Sequence, residues 1–210
     1  MVKRNPNLIK LQGNYLFREI NQKKHALLKK EPHAKLISLG IGDTTEPVPF
    51  HICSGLVQGA EKLGSKEGYS GYGPEQGHEA LREKIASVFY PGMITHDEIF
   101  ISDGSKCDIG RLQLLFGPLC TMAVQDPSYP VYVDTGVAIG QTGPCKDGGY
   151  EGIAYLPCTP QNNFFPDLER APRTDLIYFC SPNNPTGATA THDQLKKLVA
   201  FAKKNRSILI

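Results

Sequence analysis

Net charge is nearly absent from this 210-residue chain: 23 basic and 21 acidic residues leave +2. No strong basic field exists to hold nucleic acid or an anionic membrane. Long apolar runs are missing as well. The longest charge-free stretch near the middle, Leu112 to Gln125, is too short to span a bilayer and contains Gly117-Pro118. Lys3 and Arg4 are followed by no apolar core, so no signal peptide is expected. The six cysteines, at 53, 107, 120, 145, 158 and 180, form no C-x-x-C. The six histidines, at 25, 33, 51, 78, 96 and 192, form no H-x-x-x-H and no H-E-x-x-H. Zinc-ligand spacing is therefore lacking, and no metal is expected. Reduced, mostly buried thiols in a cytosolic protein are the plain reading. No G-x-S-x-G elbow occurs, so an α/β-hydrolase reading has no anchor. No internal repeat or low-complexity tract is visible.

What is present is a globular composition. Apolar residues make up 40% and charged residues 21%, which supports a core and excludes a mainly disordered chain, a coiled coil or a collagen-like repeat. The 21 glycines and 16 prolines imply many turns. Residues 1–14 read as an extended arm. Leu16 to Lys30 reads as a surface helix that ends before Pro32. Lys35 to Leu39 reads as a short strand and Gly40 to Pro49 as a polar turn. Phe50 to Leu63 is apolar at helical spacing, Gly64 to Gly77 is a Gly/Tyr-rich loop, and Glu79 to Tyr90 is an amphipathic helix stopped by Pro91-Gly92.

From there strands and helices alternate. Strands are expected at Glu98 to Ser102, Cys120 to Gln125, Gly152 to Leu156, Leu176 to Cys180 and Ser207 to Ile210. Helices are expected at Ser105 to Phe116, over Tyr132 to Gly140, and from a capping box at Thr191 and Gln194 to about Asn205. Such alternation implies an α/β layer with a mainly parallel sheet. Because the chain stops inside an apolar strand, Ile210 is expected to be a truncation point.

Four strings carry candidate chemistry. Ser102-Asp103-Gly104-Ser105-Lys106 lies between a strand and a helix, where backbone N–H groups, a helix dipole and the Lys106 ammonium suit a phosphate. An ordinary βα turn with an N-capping serine carries the same residues. Residues 181–187, SPNNPTG, follow a strand directly, and two prolines and a glycine fix the loop at the strand end where open α/β sheets place ligands. A stiff turn is the bland alternative. In residues 125–130, QDPSYP, Tyr129 is held close to Pro127 and Pro130 and can stack on a flat ring, or serve as a half-buried loop tyrosine. Residues 69–77, YSGYGPEQG, put two tyrosines and a carboxylate on a Gly-rich loop, which is otherwise simply solvated. The half-fingerprints Gly40-Ile41-Gly42 and Gly71-Tyr72-Gly73 lack the third glycine of a dinucleotide turn, because Thr45 and Gln76 stand there.

Taken together, these strings resemble a known family. SPNNPTG at 181–187 resembles the signature loop of the fold-type I pyridoxal-phosphate aminotransferases. With LGIGDTTEP at 39–47, GYGPEQG at 71–77, SDGSKCD at 102–108 and QDPSYP at 125–130, the order resembles the diaminopimelate-forming branch of that family, from Tyr15 to Ile210. The resemblance implies a fold-type I α/β structure, incomplete here. It divides the chain into an N-terminal arm and small-domain segment at 1–48 and a large cofactor-binding domain at 49–210. It implies pyridoxal 5′-phosphate as cofactor, with its phosphate on the N–H groups of Ser105 and Lys106, its ring stacked on Tyr129, and its phenolic oxygen on Asn184. Ile41 and Gly42 would line the substrate pocket, with Lys106, Tyr129 and Asn184 nearby. Tyr15, Tyr72 and Glu75 would reach across a homodimer interface, Tyr72 to the partner's cofactor phosphate and Glu75 to the substrate's distal ammonium.

The implied reaction moves an amino group from glutamate to tetrahydrodipicolinate, giving LL-diaminopimelate on the route to lysine and peptidoglycan, in the cytoplasm or in an organellar stroma. The family's Schiff-base lysine, its aspartate for the pyridine nitrogen and its carboxylate-gripping arginine would lie beyond Ile210. The chain alone is therefore expected to be inactive. Two other readings stand beside this one. One is a catalytically dead remnant that binds a phosphate ligand or a partner. The other is a different aminotransferase or a carbon–sulfur lyase on the same fold.

Overall fold

The computed structural model describes residues 2–11, 16–39, 42, 44 and 46–210. By its contacts the chain divides into two compact units, Met1–Tyr15 with Asp103–Ile210, and Leu16–Ser102.

The second of these is helical. It holds α1 (Leu16–Lys30), α2 (Phe50–Leu63) and α3 (Glu79–Phe89), each close to the span its periodicity predicts. Two expected strands do not form. Residues 35–39 and 98–102 carry no strand, because among the described residues neither stretch meets a ladder of backbone partners, and a strand exists only through its neighbour. Ile37 and Leu39 stay almost fully exposed, and Ile101 makes one bond to the loop instead, its N–H donating to the Gln76 carbonyl. Arg82 is the one buried charge among the described residues of this unit. Its Nε donates to the Gly77 carbonyl and its guanidinium to that of His96. Gly77 sits at φ +95° with Ile101 where a Cβ would stand, so no other residue fits the end of this loop.

The other unit is layered. The helices α4 (Ser105–Phe116) and α5 (Val131–Ile139) precede and follow β1 (Met122–Asp126). A short hairpin, β2 (Cys145–Lys146) and β3 (Gly149–Tyr150), leads into β4 (Ile153–Pro157), then β5 (Leu176–Tyr178), α6 (His192–Asn205) and β6 (Ile208–Leu209). The hairpin was not foreseen from the sequence. Its register pairs Cys145 with Tyr150, and its turn needs positive φ at Asp147 and Gly148. The sheet runs β4-β1-β5-β6, all parallel. That confirms the parallel α/β expectation.

Side chains that alternate along β1 and β5 go to opposite faces. Met122, Val124, Leu176 and Tyr178 join Ile109 of α4 in one core. Ala123 and Ile177 join Leu156, with Leu198 and Ala202 of α6, in the other. The sheet is thus covered on both faces, as a parallel sheet requires. The capping box read at Thr191 is present: Thr191 Oγ1 accepts from the Gln194 N–H and Gln194 Oε1 from the Thr191 N–H.

The expected extended arm instead holds a 3-10 turn, Pro6–Ile9, capped by Asn5. It is tied to this unit. Asn5 donates to the Ala138 carbonyl (2.7 Å), Lys10 to that of Thr142 (2.7 Å), and the Tyr150 hydroxyl donates to the Lys10 carbonyl (3.0 Å).

Candidate functional site

Parallel strands that alternate with helices leave their carboxyl ends and the following helix starts on one side of the sheet, where ligands of such folds bind. Of the three strings, residues 103–108, 125–130 and 181–187 lie in the unit built from this sheet. Gly104 precedes α4 with φ +114° and ψ 161°, a conformation that glycine adopts without strain. The N-cap residue itself, Gly104, has no side chain with which to cap this helix start. Its first amides and the positive end of the dipole therefore suit an anion. Ser105 and Lys106 are the first two helical residues, and both are exposed.

β1 ends at Asp126, and the chain turns through a cis Asp126–Pro127 bond to Tyr129. The Lys106 Nζ lies 5.8 Å from the centre of the Tyr129 ring. Lys106 at the helix start and Tyr129, 23 positions apart in the sequence, are thus brought together. Tyr129 is half-buried and meets Tyr132 edge-on at 5.8 Å, and Tyr132 stacks on Tyr178 at 4.9 Å. The three rings run from the surface into the core, so the exposed end is braced by a buried one. Burial, followed by the neighbouring Cys180, raises the Tyr132 hydroxyl to about 12. Burial also raises Tyr178, which the adjacent Gln113 side chain partly offsets.

The loop 181–187 leaves β5 with cis bonds at Ser181–Pro182 and Asn184–Pro185. Asn184 is exposed, whereas Asn183 beside it is only 4% exposed. The Asn183 Nδ2 donates to the Pro127 carbonyl (3.0 Å) and to the Thr186 hydroxyl (3.1 Å), which joins this loop to the one that carries Tyr129. Gln125, buried in β1, accepts from the Cys180 N–H through its Oε1 (2.7 Å) and ties the same two strand ends one step earlier. On the helix side the Gln113 Nε2 donates to the Tyr132 carbonyl (2.9 Å).

Ser105, Lys106, Tyr129 and Asn184 therefore lie in one unit, on elements cross-linked by Gln113, Gln125 and Asn183. The cross-linking roles of these three amides are not written in any local pattern. Gln125 could have been found, because an uncharged polar residue in an otherwise apolar strand needs a partner. The remaining expected residues divide otherwise. Gly42, Tyr72 and Glu75 belong to the helical unit, all three exposed, Tyr72 fully so. Tyr15 and Ile41 lie outside the described residues. Among the described residues no helix is long and apolar enough to cross a membrane.

A family model described as aminotransferase class I and II matches residues 34–210. The chain is 58% identical to the LL-diaminopimelate aminotransferase of Protochlamydia amoebophila, an alignment that covers 100% of this chain and 52% of that protein. It is 57% identical to the chloroplastic LL-diaminopimelate aminotransferase of Arabidopsis thaliana, with 100% and 46% covered. The solved structure of L,L-diaminopimelate aminotransferase from Chlamydomonas reinhardtii superposes with a TM-score of 0.91 at 59% identity, over 99% of this chain and 52% of that one. Aspartate aminotransferase from Thermus thermophilus with maleate shares the fold at 22% identity and a TM-score of 0.75, over 100% and 52%. The chain spans about half the length of the curated relatives it matches.

Proposed function

Since the chain belongs to the class I and II aminotransferases, we propose that it forms the phosphate- and ring-binding part of an enzyme that transfers an amino group between glutamate and tetrahydrodipicolinate, giving LL-diaminopimelate. The observation that carries this reading is the Lys106 ammonium over the Tyr129 ring at a helix start preceded by glycine, with the Asn184 loop tied to the same strand end. The substrate reading is supported by the match of the whole of this chain to about half of each relative of that name.

The residues fit pyridoxal 5′-phosphate by their chemistry. Gly104 brings no side chain to the α4 start, and a Cβ placed there would meet nothing within 4 Å, so a phosphate can approach the backbone. The amides of Ser105 and Lys106 would hold the phosphate and the Lys106 ammonium would balance its charge. Tyr129 would cover one face of the ring and exclude water from it. Asn184 would donate from its side-chain amide to the phenolic oxygen. When bound, the cofactor supplies the electron sink for the transfer. The protein's share is to orient the ring and hold these donors in place.

In the complete enzyme, residues 1–48 form the arm and small-domain segment and 49–210 the body of the large domain. Ile41 and Gly42 line the substrate pocket. Tyr15, Tyr72 and Glu75 reach across a homodimer interface, Glu75 as the partner of the substrate's distal ammonium. Support for a partner comes from α2, which buries none of its residues although Phe50, Leu56 and Val57 are apolar. The location would be the cytoplasm or a plastid stroma.

The test is an amino-transfer assay on the enzyme that contains these residues. Glutamate formed from LL-diaminopimelate and 2-oxoglutarate is the expected result. Activity with aromatic amino acids and none with diaminopimelate would replace this reading with that of another aminotransferase. No transfer at all, and no bound cofactor, would favour a remnant that only binds a phosphate ligand or a partner.

A further inference from the structure

Two amides stand side by side in the loop after β5, and they differ in burial. Asn184 is exposed and Asn183 is 4% exposed. Both hydrogen bonds from the Asn183 Nδ2 stay on the protein, one to the Pro127 carbonyl 56 residues away and one to Thr186 within its own loop. Its backbone is committed as well, since the N–H donates to the Ala188 carbonyl and the C=O accepts from the Gly187 N–H. Its Oδ1 is buried with no partner among the described residues. A buried, half-satisfied amide is disfavoured unless the half that is satisfied has a task.

The task is local to the loops. The strand ends are already joined by the β1–β5 ladder and by the bond between Gln125 and the Cys180 N–H. The Asn183 bond acts beyond them, on Pro127 and hence on the turn that places Tyr129 two residues later. We propose that Asn183 is a positioning residue: its amide clamps the loop 181–187 to Pro127 and so fixes Asn184 relative to Tyr129. The inference rests on the cofactor reading of those two residues.

The test compares Asn183→Asp with Tyr129→Ala and Asn184→Ala in the complete enzyme. Asn183→Asp keeps the shape and removes the donor. The readouts are the dissociation constant for pyridoxal phosphate, the visible circular dichroism of the bound cofactor, which reports how the ring is held, and the melting temperature of the cofactor-free protein. Asn183→Asp should weaken cofactor binding by about tenfold and diminish the dichroism, in the direction of Tyr129→Ala and Asn184→Ala. A lowered melting temperature with affinity and dichroism unchanged would make Asn183 a packing residue and overturn the inference. If Tyr129→Ala and Asn184→Ala weaken binding and Asn183→Asp does not, the inference falls and the cofactor reading stands. If none of the three changes binding, both fall. Should Asn183→Asp not fold, Asn183→Ser, which keeps a shorter donor, takes its place. A smaller loss of affinity is then expected, and no loss overturns the inference.

Discussion

Tyr132 stands at the middle of the ring stack, and its surroundings make a testable statement about pH. Burial and the nearby Cys180 raise its hydroxyl to about 12, above the ordinary tyrosine value of about 10. The neutral form is therefore favoured in the folded protein. That contribution to stability is complete below about pH 10 and is lost as pH rises from there through about 12. Tyr132→Phe should remove part of the alkaline loss of stability in that window, read as a flatter melting-temperature profile. A profile as steep as that of the unsubstituted protein would show that the hydroxyl is not held neutral by this stack. At the same scale, Lys106 contributes little to the fold through Tyr129. An exposed cation such as Lys106 contributes about 0.5–1 kcal/mol through a ring, so the proposed phosphate would be its more consequential partner. Ser105, Lys106, Tyr129 and Asn184, which the structure brings into one unit, stand out in the sequence because their strings combine turn-forming residues with polar groups at strand ends. Asn183 and Gln113 do not. Their role depends on bonds to residues 56 and 19 positions away and on burial, which no local pattern records.

Helices were legible as whole elements because their signals are local. Periodicity gave α1 and α2 their observed limits, and the capping box gave α6 its start. Thr191→Ala should remove that cap at a cost of about 1 kcal/mol. Leu198→Ala, at a position with no exposed surface beneath the sheet, should cost about 2–5 kcal/mol. Denaturant titration of the two variants would rank them. Equal losses would mean that α6 is held by its end and not by its apolar face. Strands behave otherwise, since their hydrogen bonds are made with another segment. Buried apolar stretches such as Met122–Asp126 and Leu176–Tyr178 were found because a central parallel strand is apolar throughout. Residues 35–39 and 98–102 have the same local character without a ladder partner among the described residues. Conversely, the hairpin of β2 and β3 has only two residues in each strand, too few for any alternation to register.

For the whole molecule, the sheet and its two helical layers bring the start of α4, Tyr129 and the asparagine loop into one unit. The chain spans about half the length of the relatives it matches, so the complete reaction is a property proposed for the enzyme that contains it. The most direct measurement is the amount of pyridoxal phosphate released when the protein purified from its native source is denatured. The account predicts one cofactor per polypeptide. Protein that is folded, yet releases no cofactor and takes none up when it is supplied, would contradict it.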